Sequence, residues 1–170
     1  DDGSGPALFV GGGFTAANGL LVNRVARWDG NAWSGLNGTI PVGVDGRQVS
    51  AVAVFDDGSG PALFVGGDFT TAGGVTVNHI AKWDGSTWSA LSGPTAIGTD
   101  GYEITALAVF DDGSGAALYA GGDFTTAGGV TVNAIARWDG GVWSPLSGPS
   151  GTGMSGAYAN VKALSVFDDG

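Results

Sequence analysis

The sequence predicts an all-β protein built from repeated units of four short antiparallel strands. Three observations carry this. Asp1-Asp2-Gly3-Ser4-Gly5 returns at 56–60 and again at 111–115, a spacing of 55 residues each time (56 − 1 and 111 − 56). Glycine supplies 34 of the 170 residues while the hydrophobic fraction stays at 43%, a pairing of tight turns with apolar strands that disordered chains lack. No segment sustains the 3.6-residue apolar period of a helix. A repeat of this length is one supersecondary unit that buries its apolar face only by stacking on its neighbours.

The elements follow in order. Glu103-Ile104-Thr105-Ala106-Leu107-Ala108-Val109-Phe110 alternates Val or Leu with Ala, and its counterparts end in Val52-Ala53-Val54-Phe55 and Leu164-Ser165-Val166-Phe167. Alternation of period two marks a strand, and its small-residue face suits a crowded inner position. Asp-Asp-Gly-Ser-Gly then makes a hairpin turn, because Asp-Gly tolerates positive φ. Ala62–Val65 is the second strand, and Gly66-Gly67 is expected to close it with positive-φ glycines. Thr70–Asn78 reads as a long glycine-bearing loop. Ile80–Trp83 is the third strand, Asp84-Gly85 the next turn, and Thr87–Leu91 the fourth strand. Four antiparallel strands in up-and-down order form the blade of a β-propeller. The repeats span 1–55, 56–110 and 111–167, with another opening at 168–170, and together make one propeller segment over 1–170.

Apolar strand, double glycine, loop, aromatic-Asp-Gly, then Trp and Leu resembles the kelch repeat. The residues that carry the resemblance are Gly11-Gly12, Gly66-Gly67 and Gly121-Gly122, Trp28, Trp83 and Trp138 on the third strand, and Trp33, Trp88 and Trp143 on the fourth. The third-strand aromatic is Trp where kelch blades usually carry Tyr. The wording Gly-Gly-Asp-Phe-Thr-Thr-Ala-Gly-Gly is similar to kelch-like repeats of large secreted or surface proteins of environmental bacteria, and to the propellers of fungal cortical markers. The resemblance implies a structural role for these glycines and tryptophans, and a secreted or cell-surface parent protein. No charged-then-apolar leader opens the chain.

The phase of the repeat bears on assembly. The chain holds strands two to four of one blade, two complete blades, and a lone inner strand near Val161–Phe167. One blade is thus split between the termini, and three blades leave no room for inner strands around a central axis. The expected partner is the chain itself in a head-to-tail ring, a trimer of nine blades ahead of a dimer of six, or else the rest of a longer propeller chain.

Charge and composition exclude much else. The formal net charge is −10, from fifteen Asp and one Glu against six Lys and Arg. So few cations disfavour phosphate contacts, hence nucleic acid, and no 18-residue apolar run suggests membrane insertion. There is no cysteine for a disulfide or a thiolate metal site. The Asp-Asp-Gly-Ser-Gly turns offer carboxylates to calcium, but the alternating Asp-x-Asp-x-Asp-Gly spacing of a calcium loop is absent; no cofactor or metal is expected. An enzyme is not expected either. Sialidase-type chemistry needs an arginine cluster and a Tyr–Glu pair, while copper-oxidase chemistry of the galactose-oxidase type needs Cys and several His. The chain has one Glu, four Arg, no Cys and only His79. His79 aligns with Arg24 and Ala134, so it reads as a surface position at a strand start rather than a repeated ligand. Asn23, Asn78 and Asn133 are expected to satisfy backbone groups where the loop enters the third strand.

Function is expected where the repeats diverge. Between 56–94 and 111–149, 31 of 39 positions are identical, and identity then collapses. The loops before the inner strands differ in sequence and the third is two residues longer, since 168 − 111 is 57. They should share a face with the Thr-Thr-Ala-Gly-Gly loops, opposite the Asp-Asp-Gly turns. Divergent loops on a repeated scaffold carry individual specificity. The candidate contacts are Arg47, Gln48, Tyr102, Glu103, Met154, Tyr158 and Asn160. The predicted function is a non-catalytic scaffold that closes into a ring, with an adhesion or glycan- or protein-binding module of a larger surface protein as the alternative.

Overall fold

The computed structural model describes residues 5–36, 43–149, 151–156 and 159–167. Most of the first Asp-Asp-Gly turn, Tyr158 and the residues 168–170 lie outside this set. The described chain is all-β. The first unit holds β1 (Leu8–Gly11), β2 (Ala16–Ala17), β3 (Leu20–Leu21), β4 (Val25–Trp28) and β5 (Trp33–Gly35). The second holds β6 (Gln48–Asp56), β7 (Pro61–Asp68), β8 (Thr71–Ala72), β9 (Val75–Thr76), β10 (Ile80–Trp83) and β11 (Trp88–Ala90). The third holds β12 (Glu103–Asp111), β13 (Ala116–Asp123), β14 (Thr126–Ala127), β15 (Val130–Thr131), β16 (Ile135–Trp138) and β17 (Trp143–Pro145), followed by the small pair β18 (Ser147–Gly148) and β19 (Gly151–Thr152). The main sheets run β1-β4-β5, β6-β7-β10-β11 and β12-β13-β16-β17, all antiparallel.

Local chemistry explains the turns. Asp56 Oδ1 accepts hydrogen bonds from the Gly58 and Gly60 N–H groups at 2.9 and 3.0 Å, and Asp111 repeats this with Gly113 and Gly115. Gly58 and Gly60 sit at φ 94° and 110°, where a side chain would be strained. Asp84 closes the β10–β11 turn by accepting from the Ser86 and Thr87 N–H groups at 2.9 and 2.7 Å. That turn sets Trp83 opposite Trp88, their rings 5.2 Å apart and tilted by 50°.

Two expectations are corrected. Gly66-Gly67 does not close the second strand: β7 runs through both to Asp68, and neither has a positive φ. The glycines are there because their neighbours leave no room for a Cβ. One added to Gly66 would lie 2.5 Å from Ile104 Cγ2 of the next sheet, and one on Gly67 would run into the Gln48 carbonyl oxygen of the paired strand. The loop Thr70–Asn78 is also more regular than expected. Thr71 pairs with Thr76 and Ala72 with Val75, so it is a miniature hairpin turned by Gly73 and Gly74 at φ 54° and 84°.

The sheets stack through one recurrent apolar interface. Between the first two, Phe9, Val25 and Leu36 meet Leu63, Val65, Ala81, Trp83 and Trp88. Between the second and third, the equivalent Phe64, Ile80 and Leu91 meet Leu118, Ala120, Ala136, Trp138 and Trp143. Each long strand nearest this stack carries a bulge, at Val49/Ala51 in β6 and Ile104/Ala106 in β12.

Residues 159–167 continue the stack. Val161 N–H donates to Gly122 O at 3.3 Å, as Val49 N–H donates to Gly12 O at 3.3 Å. The Thr105 hydroxyl donates to Val161 O. A Cβ on Gly121 would lie 2.5 Å from Val161 and 3.6 Å from Leu164, matching the 2.5 and 3.6 Å from Gly66 to Ile104 and Leu107. The segment thus occupies the place of a third long strand, without a ladder partner among the described residues. Conversely β1 is an edge: it pairs with β4, and its other side has no partner among the described residues.

Candidate functional site

The loops before β6 and β12 do share a face with the small hairpins, because Gln48 pairs with Asp68 and Glu103 with Asp123 at the ends of their strands. Two carboxylates tie this face together. Asp45 Oδ1 accepts from the Thr70 and Thr71 N–H groups at 2.8 and 2.7 Å, and its Oδ2 from the Thr70 hydroxyl at 2.9 Å. Asp100 does the same with Thr125 and Thr126. Partial burial pushes the Asp45 carboxyl up, but the backbone and hydroxyl donors together outweigh it and hold it below the ordinary carboxylate range. Asp100 behaves alike, with burial again the largest single influence and the Thr125 and Thr126 donors prevailing. At Asp84 the Thr87 N–H is the largest influence and holds the carboxyl well below that range.

The sign for stability follows. These carboxyls ionise more readily folded than unfolded, so their contribution is complete above the unfolded value of 3.8 and is lost as the pH falls below it. The melting midpoint is expected to drop steeply between about pH 4 and pH 2, and the double variant Asp45→Asn/Asp100→Asn to show a lower midpoint at neutral pH and a shallower acid slope. Calorimetry across that range checks it; an acid slope unchanged in the double variant contradicts it.

The structure divides the sequence-predicted residues into three groups. Gln48 and Glu103 form a line across neighbouring sheets: Gln48 Nε2 donates to Ser50 Oγ at 3.0 Å and to Glu103 Oε2 at 3.4 Å, and Lys162 Nζ donates to Glu103 Oε1 at 3.5 Å. Arg47 stands apart, exposed and 3.8 Å from the Asp68 carboxylate. Tyr102, Met154 and Asn160 come together around a cavity of about 430 Å³ that Asp123, Asn133 and Ala134 also line. Tyr102 and Met154 are exposed, while Asn160 buries its Oδ1 without a partner. Tyr158 lies outside the described residues.

The repeats explain why side chains face this cavity. Val44, Thr99 and Met154 each donate their N–H to the carbonyl of Asn23, Asn78 or Asn133, which aligns Ser155 with Asp45 and Asp100. The third loop therefore lacks the carboxylate and has two extra residues before Val161. Ala134 also replaces the larger His79 and Arg24 of the other units. Arg24, His79 and Ala134 share a left-handed backbone, φ 69°, 70° and 65°, and His79 is half-buried rather than fully at the surface. Asn78 and Asn133 satisfy backbone as expected, donating to Ile97 O and Thr152 O at 3.3 and 3.0 Å.

Sequence reasoning missed Asp45, Asp100 and Lys162. The recurrence of Asp45 and Asp100 at a spacing of 55 was the available signal. Among the described residues, no three His, Asp or Glu side chains gather to hold a metal ion. Compared with family models, curated proteins and solved structures, the chain shows no match.

Proposed function

We propose that the chain is a non-catalytic β-propeller scaffold of kelch-like blades that assembles head to tail into a closed ring and presents its divergent loop face to binding partners. One observation carries the reading: among the described residues, a three-stranded sheet whose inner edge at β1 has no partner coexists with an inner segment, 159–167, that has no ladder partner. Blade geometry supports it, since both four-stranded sheets run inner to outer in chain order and stack through the same residues. The loop face supports a role in binding rather than catalysis. Its polar side chains pair with one another in long contacts of 3.4–3.8 Å, and they face solvent instead of converging on a reactive atom. Secretion or surface display of the parent protein belongs to the same proposal.

Light scattering across a range of protein concentrations tests it. The expected mass is a fixed small multiple of the 16.7 kDa chain, three copies ahead of two. A monomer that melts cooperatively overturns ring assembly and points to a longer chain as the source of the missing strand.

A further inference from the structure

The open end of the stack is a cleft of about 620 Å³ on the third sheet, and its lining identifies its occupant. Ala108, Phe110, Tyr119, Ile135 and Leu146 line it, together with Leu164. By repeat position these are Ala53, Phe55, Phe64, Ile80 and Leu91 of the second sheet, plus the Leu107 position of the next inner strand. In the second sheet that same set is covered by the third sheet, through Leu118, Ala120, Trp138 and Trp143.

The matching cover is bare at the other end of the chain. Leu8, Val10, Trp28 and Trp33 hold the positions of Leu118, Ala120, Trp138 and Trp143. Trp83, Trp88, Trp138 and Trp143 are 1–6% exposed, whereas Leu8 is 60% exposed and Trp28 and Trp33 are only half-buried. The turns agree. A Cβ on Gly140 would run into Asp57 of the preceding sheet, while one on the equivalent Gly30 would meet nothing within 4 Å. Gly12 agrees too. Its equivalents Gly67 and Gly122 are pressed against the backbone of an inner strand, but a Cβ on Gly12 would meet only the Phe14 ring, at 3.0 Å.

We infer that the cleft on the third sheet seats the first sheet of a second copy of this chain, and that residues 164–167 of one copy add to the open edge of β1 of the next in a defined register. The inference rests on the ring reading and supplies its interface. The register follows from β6 on β7, where Val52 pairs with Val65, Ala53 with Phe64, Val54 with Leu63 and Phe55 with Ala62. Transposed, Leu164 pairs with Val10, Ser165 with Phe9, Val166 with Leu8 and Phe167 with Ala7. The occupant is chosen by complementarity already present twice within the chain: equivalent side chains, with Tyr119 in the place of Phe64 and Val10 in that of Ala120, the same Trp pair and the same absence of a Cβ at the contact. Burying Leu8 and Phe167, which are 60% and 87% exposed while their equivalents Leu63 and Phe55 are 1% and 5% exposed, supplies the hydrophobic gain. Strand addition satisfies the N–H and C=O groups of the edge that have no ladder partner among the described residues.

The chain has no cysteine, so introduced pairs report one contact cleanly. Leu8→Cys with Val166→Cys in one chain is expected to give, on mild oxidation, a covalent ladder ending at the ring's copy number. Leu8→Cys with Leu164→Cys is displaced by two residues, about 7–8 Å diagonally, beyond the usual disulfide span, and is expected to stay uncrosslinked. Hydrogen exchange on the unmodified chain checks folding effects of the variants, with slow exchange expected at the Leu8–Gly11 and 164–167 amides. A ring by mass with no ladder and fast exchange in these strands, or with equal crosslinking of the displaced pair, overturns the register and leaves the ring reading intact. A monomeric mass overturns both.

Discussion

Gly67→Ala is expected to cost about 3 kcal/mol of stability, in the upper part of the range for forcing extra atoms into a packed site, and to lower the melting midpoint by about 6–12 °C. The added methyl group has nowhere to go. It would run into the Gln48 carbonyl oxygen and lie 2.9 Å from Val49 Cα, both on the backbone of the strand that pairs with β7. A backbone held in a ladder and stacked between two sheets yields far less than the end of a flexible side chain. Gly122 faces the same wall, with Ile104 Cα 2.9 Å away, so Gly122→Ala should cost a similar amount. Gly66 has a different neighbour, the side chain of Ile104 in the next sheet. In Gly66-Gly67 and Gly121-Gly122 the two glycines therefore serve two interfaces: the first allows sheets to stack, the second allows the inner strand to pair. Gly141→Ala is the control. It has open space, no neighbour within 4 Å and no positive φ, and should change stability by less than about 0.5 kcal/mol. Thermal and urea melts of the three variants check this, and equal effects at Gly67 and Gly141 contradict it.

Trp143→Ala is expected to cost about 4 kcal/mol, the middle of the range for deleting a buried Trp. Its side chain is 1% exposed, stacks at 5.1 Å and 49° on Trp138, and lies so close to Gly128 that a Cβ there would come within 2.5 Å of the indole. Trp33 holds the same repeat position but is half-buried, since nothing described covers the outer face of the first sheet. In a lone chain Trp33→Ala should cost roughly half as much, in proportion to the area removed from water. In a closed ring it should cost as much as Trp143→Ala, and its midpoint should rise with protein concentration, because assembly adds stability by mass action. Melts at two concentrations separate these cases. A Trp33→Ala midpoint identical to that of the unmodified chain at both concentrations contradicts a ring built on this face.

Much of the fold was legible in the residues. Ile80–Trp83 was read as a strand with the observed bounds. The Asp-Asp-Gly turns and the Asp84-Gly85 turn fell where carboxylates accept their own downstream N–H groups. These features are local: a turn residue and its partner are two to four positions apart, so short sequence holds the whole cause. Of the candidate site, only the shared face of its loops was legible. Alternation along the strands put these loops on the face of the small hairpins, where they lie, yet it gave no means to see that Tyr102, Met154 and Asn160 line one cavity while Arg47 stands apart. That cavity brings together residues from positions 102 to 160, and the carboxylate ties of Asp45 and Asp100 on the same face reach 25 and 26 residues along the chain.

By itself, the sequence determined the repeat, the strand order within each unit, the turn chemistry and the pairing of tryptophans across the third and fourth strands. All of these follow from periodicity and from residue preferences acting over a few positions. Tertiary structure alone decided why the paired glycines must be glycines, and which tryptophans are covered and which are half-exposed. The reason is physical. Steric room and burial at Gly66 or Trp33 are set by Ile104 or by the absence of a covering sheet, and those neighbours are brought close or left out by stacking, not by nearness along the chain.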